Sequence, residues 1–130
     1  MLVDGVAEPE VLEEIERTLD RFWGEHPAVP ETTRMYLGIA VAEIGANIIE
    51  HSGRHRRVRL RMELRHSPGE VRVNFTDDGP PVEVDLDSLP EPDDLAERGR
   101  GLALAKAALS SLSYHRDERG NHWLLVSRPF

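Results

Sequence analysis

Residues 41–53 read VAEIGANIIEHSG, and this stretch decides the fold. Glu43, Asn47 and His51 recur every four residues, so on a helix they form one polar stripe. Leu37, Val41, Ile44 and Ile48 form a separate apolar stripe. Together they predict an amphipathic helix from about Thr32 to His51, stopped by Gly53. Ala40, Ala42, Gly45 and Ala46 thin its sides. An interior helical glycine costs up to about 1 kcal/mol, so something is expected to approach this face closely. A carboxylate and an amide four residues apart suit a hydrated Mg²⁺ ion, which takes hard oxygen ligands. The plain alternative is a solvated helix face.

Downstream, two further polar features stand at element boundaries. Residues 73–84 read VNFTDDGPPVEV. Val71, Val73 and Phe75 alternate with Arg72 and Asn74, a strand period that carries Asp77 onto the inward face. A buried carboxylate is costly unless it accepts hydrogen bonds, and the exocyclic amine of a base is one candidate donor. Gly79 lets the backbone pass close to a flat ligand. A simple strand-to-turn transition would use the same residues. Residues 98–112 read RGRGLALAKAALSSL. Arg98-Gly99-Arg100-Gly101-Leu102 opens a helix predicted to run to about Ser111. Bare N–H groups and the positive dipole end at such a terminus favour phosphate. A flexible hinge is the alternative.

The remaining chain fills in the architecture. Leu12, Ile15, Leu19 and Phe22 mark a first helix from Glu10 to about Trp23, with Pro9 at its start. Val58, Leu60, Met62 and Leu64 mark a strand that joins the next through a Ser67-Pro68-Gly69 turn. Residues 79–98 are rich in Pro, Asp and Glu and read as a long functional loop. Two closing strands, about 112–117 and 122–127, flank a turn at Gly120-Asn121. The order is helix, helix, strand, strand, loop, helix, strand, strand. It predicts an α+β fold, a two-layer α/β sandwich with a mostly antiparallel sheet and helices on one face.

Size and charge limit the function. The chain has 130 residues, no cysteine and a net charge of −8. One domain spanning 1–130 is expected. Disulfides, thiol nucleophiles and cysteine zinc sites are excluded. No apolar run of membrane-spanning length and no signal peptide is present, so a cytoplasmic location is expected. Charge is segregated. Residues 1–50 carry eleven acids against Arg17, Arg21 and Arg34, and residues 77–97 carry nine acids and no base. Between them lie Arg57, Arg59, Arg61, Arg65 and Arg72, expected as a row on the outer sheet face. That row reads as a solvated face or as a partner or homodimer contact. The acidic total argues against direct nucleic-acid binding.

Taken together and in this order, the three boxes resemble the Bergerat ATP-binding fold of the GHKL superfamily. The compact chain is similar to the anti-sigma factor serine/threonine kinases, from about Val11 to Val126. The resemblance implies ATP and Mg²⁺ as cofactors. It implies Asn47 as the Mg²⁺ ligand and Glu43 as the general base, with His51 near the nucleotide. Asp77 would bind the adenine amine, with Gly79 beside the ring. Arg98, Gly99, Arg100, Gly101 and Leu102 would wrap the phosphates, and residues 82–98 would form the lid. The implied activity is phosphorylation of an anti-anti-sigma (STAS-type) partner, with a sigma factor as a further partner. A non-catalytic nucleotide-binding switch and a histidine kinase catalytic fragment are the alternatives. Two positions depart from the family pattern. Pro81 replaces a common second glycine, which fits the compact branch, and Gly120-Asn121-His122-Trp123 stands where a threonine is frequent.

Overall fold

A computed structural model describes residues 1–52, 57–89 and 100–130. Five strands form one sheet in the order β1-β2-β3-β5-β4, every neighbouring pair antiparallel. The strands are β1 (Leu2–Val6), β2 (Arg59–Ser67), β3 (Glu70–Asp77), β4 (Ser111–Asp117) and β5 (Gly120–Val126). The helices are α1 (Glu10–Glu25), α2 (Glu31–His51) and α3 (Arg100–Ala108). The expected two-layer α+β sandwich is the observed fold.

The core lies between the sheet's inner face and the helices. Leu60, Met62, Leu64, Val73, Phe75, Trp123 and Leu125 from the strands meet Leu37, Val41, Ile44 and Ile48 of α2, all buried. Strand alternation sets this register, since a one-residue slip would turn each apolar set to solvent. On the outer face Arg59, Arg61, Arg65 and Arg72 are exposed, as their alternation predicts.

The sequence reading missed β1. This strand has one strongly buried residue, Val3, and so no legible alternation. Its place comes from pairing with β2, where Val3 lies opposite Met62. The Met1 amino group donates to the Leu64 carbonyl at 2.9 Å. The α1 face is also rotated from expectation. Val11 and Thr18 are buried with Ile15, Leu19 and Phe22, while Leu12 is half-buried. Leu12 instead faces α2, where a Cβ at Gly45 would lie 3.3 Å from its Cδ2. The close approach expected at Gly45 is therefore helix packing.

Arg34 latches the α1–α2 connection. Its Nε donates to Val29 O at 2.9 Å and its second amine to Pro27 O at 3.1 Å. The final hairpin departs from its predicted turn. Asp117 pairs with Gly120, which places the turn at Glu118–Arg119 rather than at Gly120-Asn121. Gly120 has φ +130°, and a Cβ there would overlap the Asp77 carbonyl. The glycine is needed at the strand's first residue, and Asn121 enters the sheet. Helix α3 ends at Ala108, short of the predicted Ser111, because Ser111 begins β4. Gly53, the expected stop of α2, lies outside the described residues.

Candidate functional site

Two of the three polar features of the sequence meet where the second half of α2 packs against the N-terminus of α3, and the third closes the end of β3. Glu43 and Asn47 are half-buried on α2, while His51 is exposed at its last residue. Among the described residues, the Asn47 side-chain nitrogen is buried with no hydrogen-bond partner. A buried polar nitrogen left unpaired costs about 1–3 kcal/mol, and a bound ion, water or catalytic role is among the reasons a native structure keeps one. Glu43 stands one turn earlier against the start of α3. A Cβ built on Gly101 would lie 2.5 Å from Glu43 Oε2. Glycine at that position lets the helix terminus sit on the carboxylate. Arg100 is exposed as the first residue of α3, Gly101 is half-buried and Leu102 is buried in the core. Arg98 and Gly99, expected beside them, lie outside the described residues.

Asp77 ends β3 on the inward face and is 5% exposed. Its Oδ1 accepts from Gly79 N–H at 2.9 Å and from Asn121 Nδ2 at 2.9 Å. Both bonds land on one oxygen, which leaves Oδ2 for another donor. Burial raises the Asp77 carboxyl above its ordinary value. The hydrogen bonds from Asn121 and Gly79 oppose this, Asp78 reinforces it, and Arg116 opposes it more weakly. A Cβ on Gly79 would meet Asp77 Oδ1 at 2.8 Å, so only glycine keeps this tight turn.

Asn121 is the residue the sequence reading passed over as a turn former. Its Nδ2 also donates to Pro80 O at 2.9 Å. Its Oδ1 accepts from Tyr114 OH and from Arg116 at 3.0 Å. Arg116 reaches on to Gly79 O at 2.9 Å. The Tyr114 hydroxyl in turn accepts from Val82 N–H at 3.1 Å. One amide on β5 thus binds the Asp77-Asp78-Gly79-Pro80 turn to the closing hairpin. The signal in the sequence was polarity at a position where β5 should turn inward.

The start of the segment expected as a lid is anchored. Val82, Val84, Leu86 and Leu89 pack against the core. Asp85 caps one 3₁₀ turn, Leu86–Ser88, through Asp87 N–H at 3.0 Å. Lys106 is exposed and donates to Leu86 O. Residues 90–98 of that segment lie outside the described residues.

A groove of about 800 Å³ runs between α1 and α2, lined by Leu12, Ile15, Leu19, Trp23, Met35 and Ile39. Met35 and Ile39 are 54% and 41% exposed. Glu43 and Ala46 line the groove farther along α2, so the carboxylate that meets α3 is also reached from this face.

A family model described as a histidine kinase-like ATPase domain matches residues 6–126. Three solved structures share the fold. The histidine kinase domain of a blue-light activated histidine kinase from Erythrobacter litoralis is 21% identical with a TM-score of 0.58, covering 76% of this chain and 46% of that one. The structure of the RsbU and RsbW domains of a Mycobacterium tuberculosis protein is 17% identical with a TM-score of 0.65, covering 99% of this chain and 32% of that one. The catalytic domain of the histidine kinase ThkA is 14% identical with a TM-score of 0.56, covering 98% of this chain and 97% of that one. This chain thus spans less than half the length of the first two. No curated protein matches. Among the described residues no helix is long and apolar enough to cross a membrane.

Proposed function

The chain belongs to the histidine kinase-like ATPase domain family, and from that premise we propose that it binds Mg-ATP and phosphorylates a serine or threonine of a protein partner in an anti-sigma switch. The observation that carries this reading is the junction of α2 and α3. The Glu43 carboxylate lies against Gly101, and the Asn47 amide one turn on is buried with an unpartnered nitrogen. Such a pair suits a ligand that brings hard oxygens and a metal ion.

In this reading Asn47 holds the Mg²⁺ through its carbonyl oxygen. Mg-ATP supplies the transferable phosphoryl group and neutralises its own charge. Asp77 Oδ2 accepts from the adenine amine, while Gly79 and Asn121 fix the carboxylate through Oδ1. The N-terminus of α3, with Arg100, Gly101 and Leu102, holds phosphate by exposed N–H groups and dipole. Arg98 and Gly99 are assigned the same task, and His51 a place at the nucleotide's edge. Glu43 takes the proton from the attacking hydroxyl. General-base catalysis of this kind contributes roughly 10²–10⁴-fold.

The partner proposed is an anti-anti-sigma protein of STAS type, with a sigma factor as a second ligand. Likeness to a structure containing an RsbW domain supports this choice. The apolar groove reaching Glu43 supports a protein substrate. Likeness to two histidine kinase domains favours a second reading, transfer to histidine.

Calorimetric titration of ATP with and without Mg²⁺ tests the nucleotide reading, and no heat at millimolar ATP overturns it. Phosphotransfer to proteins captured from the source cell tests the acceptor. A phosphoryl linkage stable to acid supports serine or threonine, and an acid-labile one supports histidine.

A further inference from the structure

We propose that His115, Asp117 and His122 form a binding site for a divalent transition-metal ion of the Zn²⁺ type on the outer face of the β4–β5 hairpin. The hairpin's register puts the three side chains together. His115 lies directly opposite His122, and such cross-strand pairs share a face with Cβ atoms about 5 Å apart. Asp117 is two residues beyond His115, on the same face. The inward face of the same segment holds Arg116 and Asn121, which bind the Asp77 turn. The cluster is therefore separate from the site assigned to nucleotide and rests on none of that reading.

The donor set and its spacing fit the ion. Two imidazoles and a carboxylate suit zinc, with water in a fourth position. Tetrahedral zinc holds such ligand atoms roughly 3.3 Å apart. Here one ligand atom from each residue lies within 4.8 Å of the others. His122 Nε2 and Asp117 Oδ1 are already 2.8 Å apart. The His115 and His122 rings lie parallel within 9°, with centroids 4.7 Å apart. His115 and Asp117 are exposed and His122 is half-buried, so side-chain rotation can close the remaining distance and an ion reaches the site from solvent. The Arg119 N–H also donates to Asp117 Oδ1 at 2.8 Å, which fixes the carboxylate beside the two imidazoles. A surface His–Asp pair alone contributes little, and the stacked His115 adds a second imidazole beside it.

The test is calorimetric titration of zinc chloride into the full chain without nucleotide or Mg²⁺. Saturable binding is expected. His115→Ala leaves the His122–Asp117 contact in place, and His122→Ala removes it. Each variant is expected to weaken zinc by at least the roughly 10–100-fold that follows loss of even an outer-shell partner. A double His26→Ala/His66→Ala variant, which removes the other stacked histidine pair among the described residues, is expected to bind as the wild type does. Zinc should also raise the wild-type melting temperature and not that of His115→Ala, whose exposed side chain leaves the metal-free melting temperature unchanged. No saturable heat in the wild type overturns the proposal. So does unchanged affinity in both His115→Ala and His122→Ala, or loss of binding only in the His26/His66 variant.

Discussion

Asn121 and Asp77 face each other across β5 and β3, in register, with Asn121 Nδ2 2.9 Å from Asp77 Oδ1. Both side chains are buried, at 1% and 5% exposure. The amide is fully used. It donates to Asp77 and to Pro80 O and accepts from Tyr114 and Arg116. This pair holds the end of β3 in the shape that the adenine reading requires.

Asn121→Ala should therefore destabilise the chain well beyond an ordinary surface change. Each buried group left unpaired costs about 1–3 kcal/mol, and several lose their partner at once. For a domain of this size roughly 1 kcal/mol corresponds to about 4 °C in melting temperature. A fall of several degrees by differential scanning calorimetry is expected. A loss of less than one degree would show that the network is not structural.

Asp77→Asn should separate stability from binding. The folded state holds the Asp77 proton more tightly than the unfolded chain, because burial raises the carboxyl above 3.8. Its contribution to stability is fully present below that value and is lost as pH rises through the raised folded value. An asparagine keeps an acceptor oxygen for Gly79 and Asn121 and carries no charge. The variant should melt higher than the wild type at neutral pH, with the difference shrinking as pH falls toward 3.8. Its second position becomes a donor facing the adenine amine, so ATP affinity should fall at every pH. A lower melting temperature at neutral pH would contradict this account.

Glu43→Gln should keep the fold and nucleotide affinity while phosphotransfer drops by about 10²–10⁴-fold. Retained transfer would remove Glu43 from the role of base. Gly101→Ala probes the same contact from α3. Alanine favours a helix by up to about 1 kcal/mol over glycine, but its Cβ would lie 2.5 Å from Glu43 Oε2. In the wild type the change should displace Glu43 and lower transfer more than ATP affinity. In a Glu43→Ala background the same change should stabilise the chain. A double-mutant cycle of melting temperatures measures this coupling, and strict additivity would contradict the contact.

Gly120→Ala should be the most damaging of these changes. Its φ of +130° disfavours any side chain, and a Cβ would overlap the Asp77 carbonyl. The β3–β5 register would have to shift at its end. Loss of several kcal/mol is expected, on the scale of about 3–5 kcal/mol seen for combined strain and misfit. Chemical denaturation reads it directly, and a midpoint equal to the wild type's would show that the turn relaxes freely.

The sequence by itself determined the three helices, four strands and the burial of Asp77, because each is written in local periodicity. Leu37, Val41, Ile44 and Ile48 repeat at helical spacing, and Val71, Val73 and Phe75 at strand spacing. The same local order placed Glu43, Asn47 and Gly101 at the right elements. Tertiary structure alone decided the rest. β1 exists through pairing with β2, which no pattern in residues 2–6 announces. Gly45 is small for Leu12, a contact between two helices rather than with a ligand. Asn121 looked like a turn residue because Gly-Asn is good turn chemistry. It became the partner of Asp77 only when the Glu118–Arg119 turn set the register of β5 against β3. His115 and His122 likewise meet only through that register. Periodicity reports which face a side chain takes, and only strand pairing reports what it meets there.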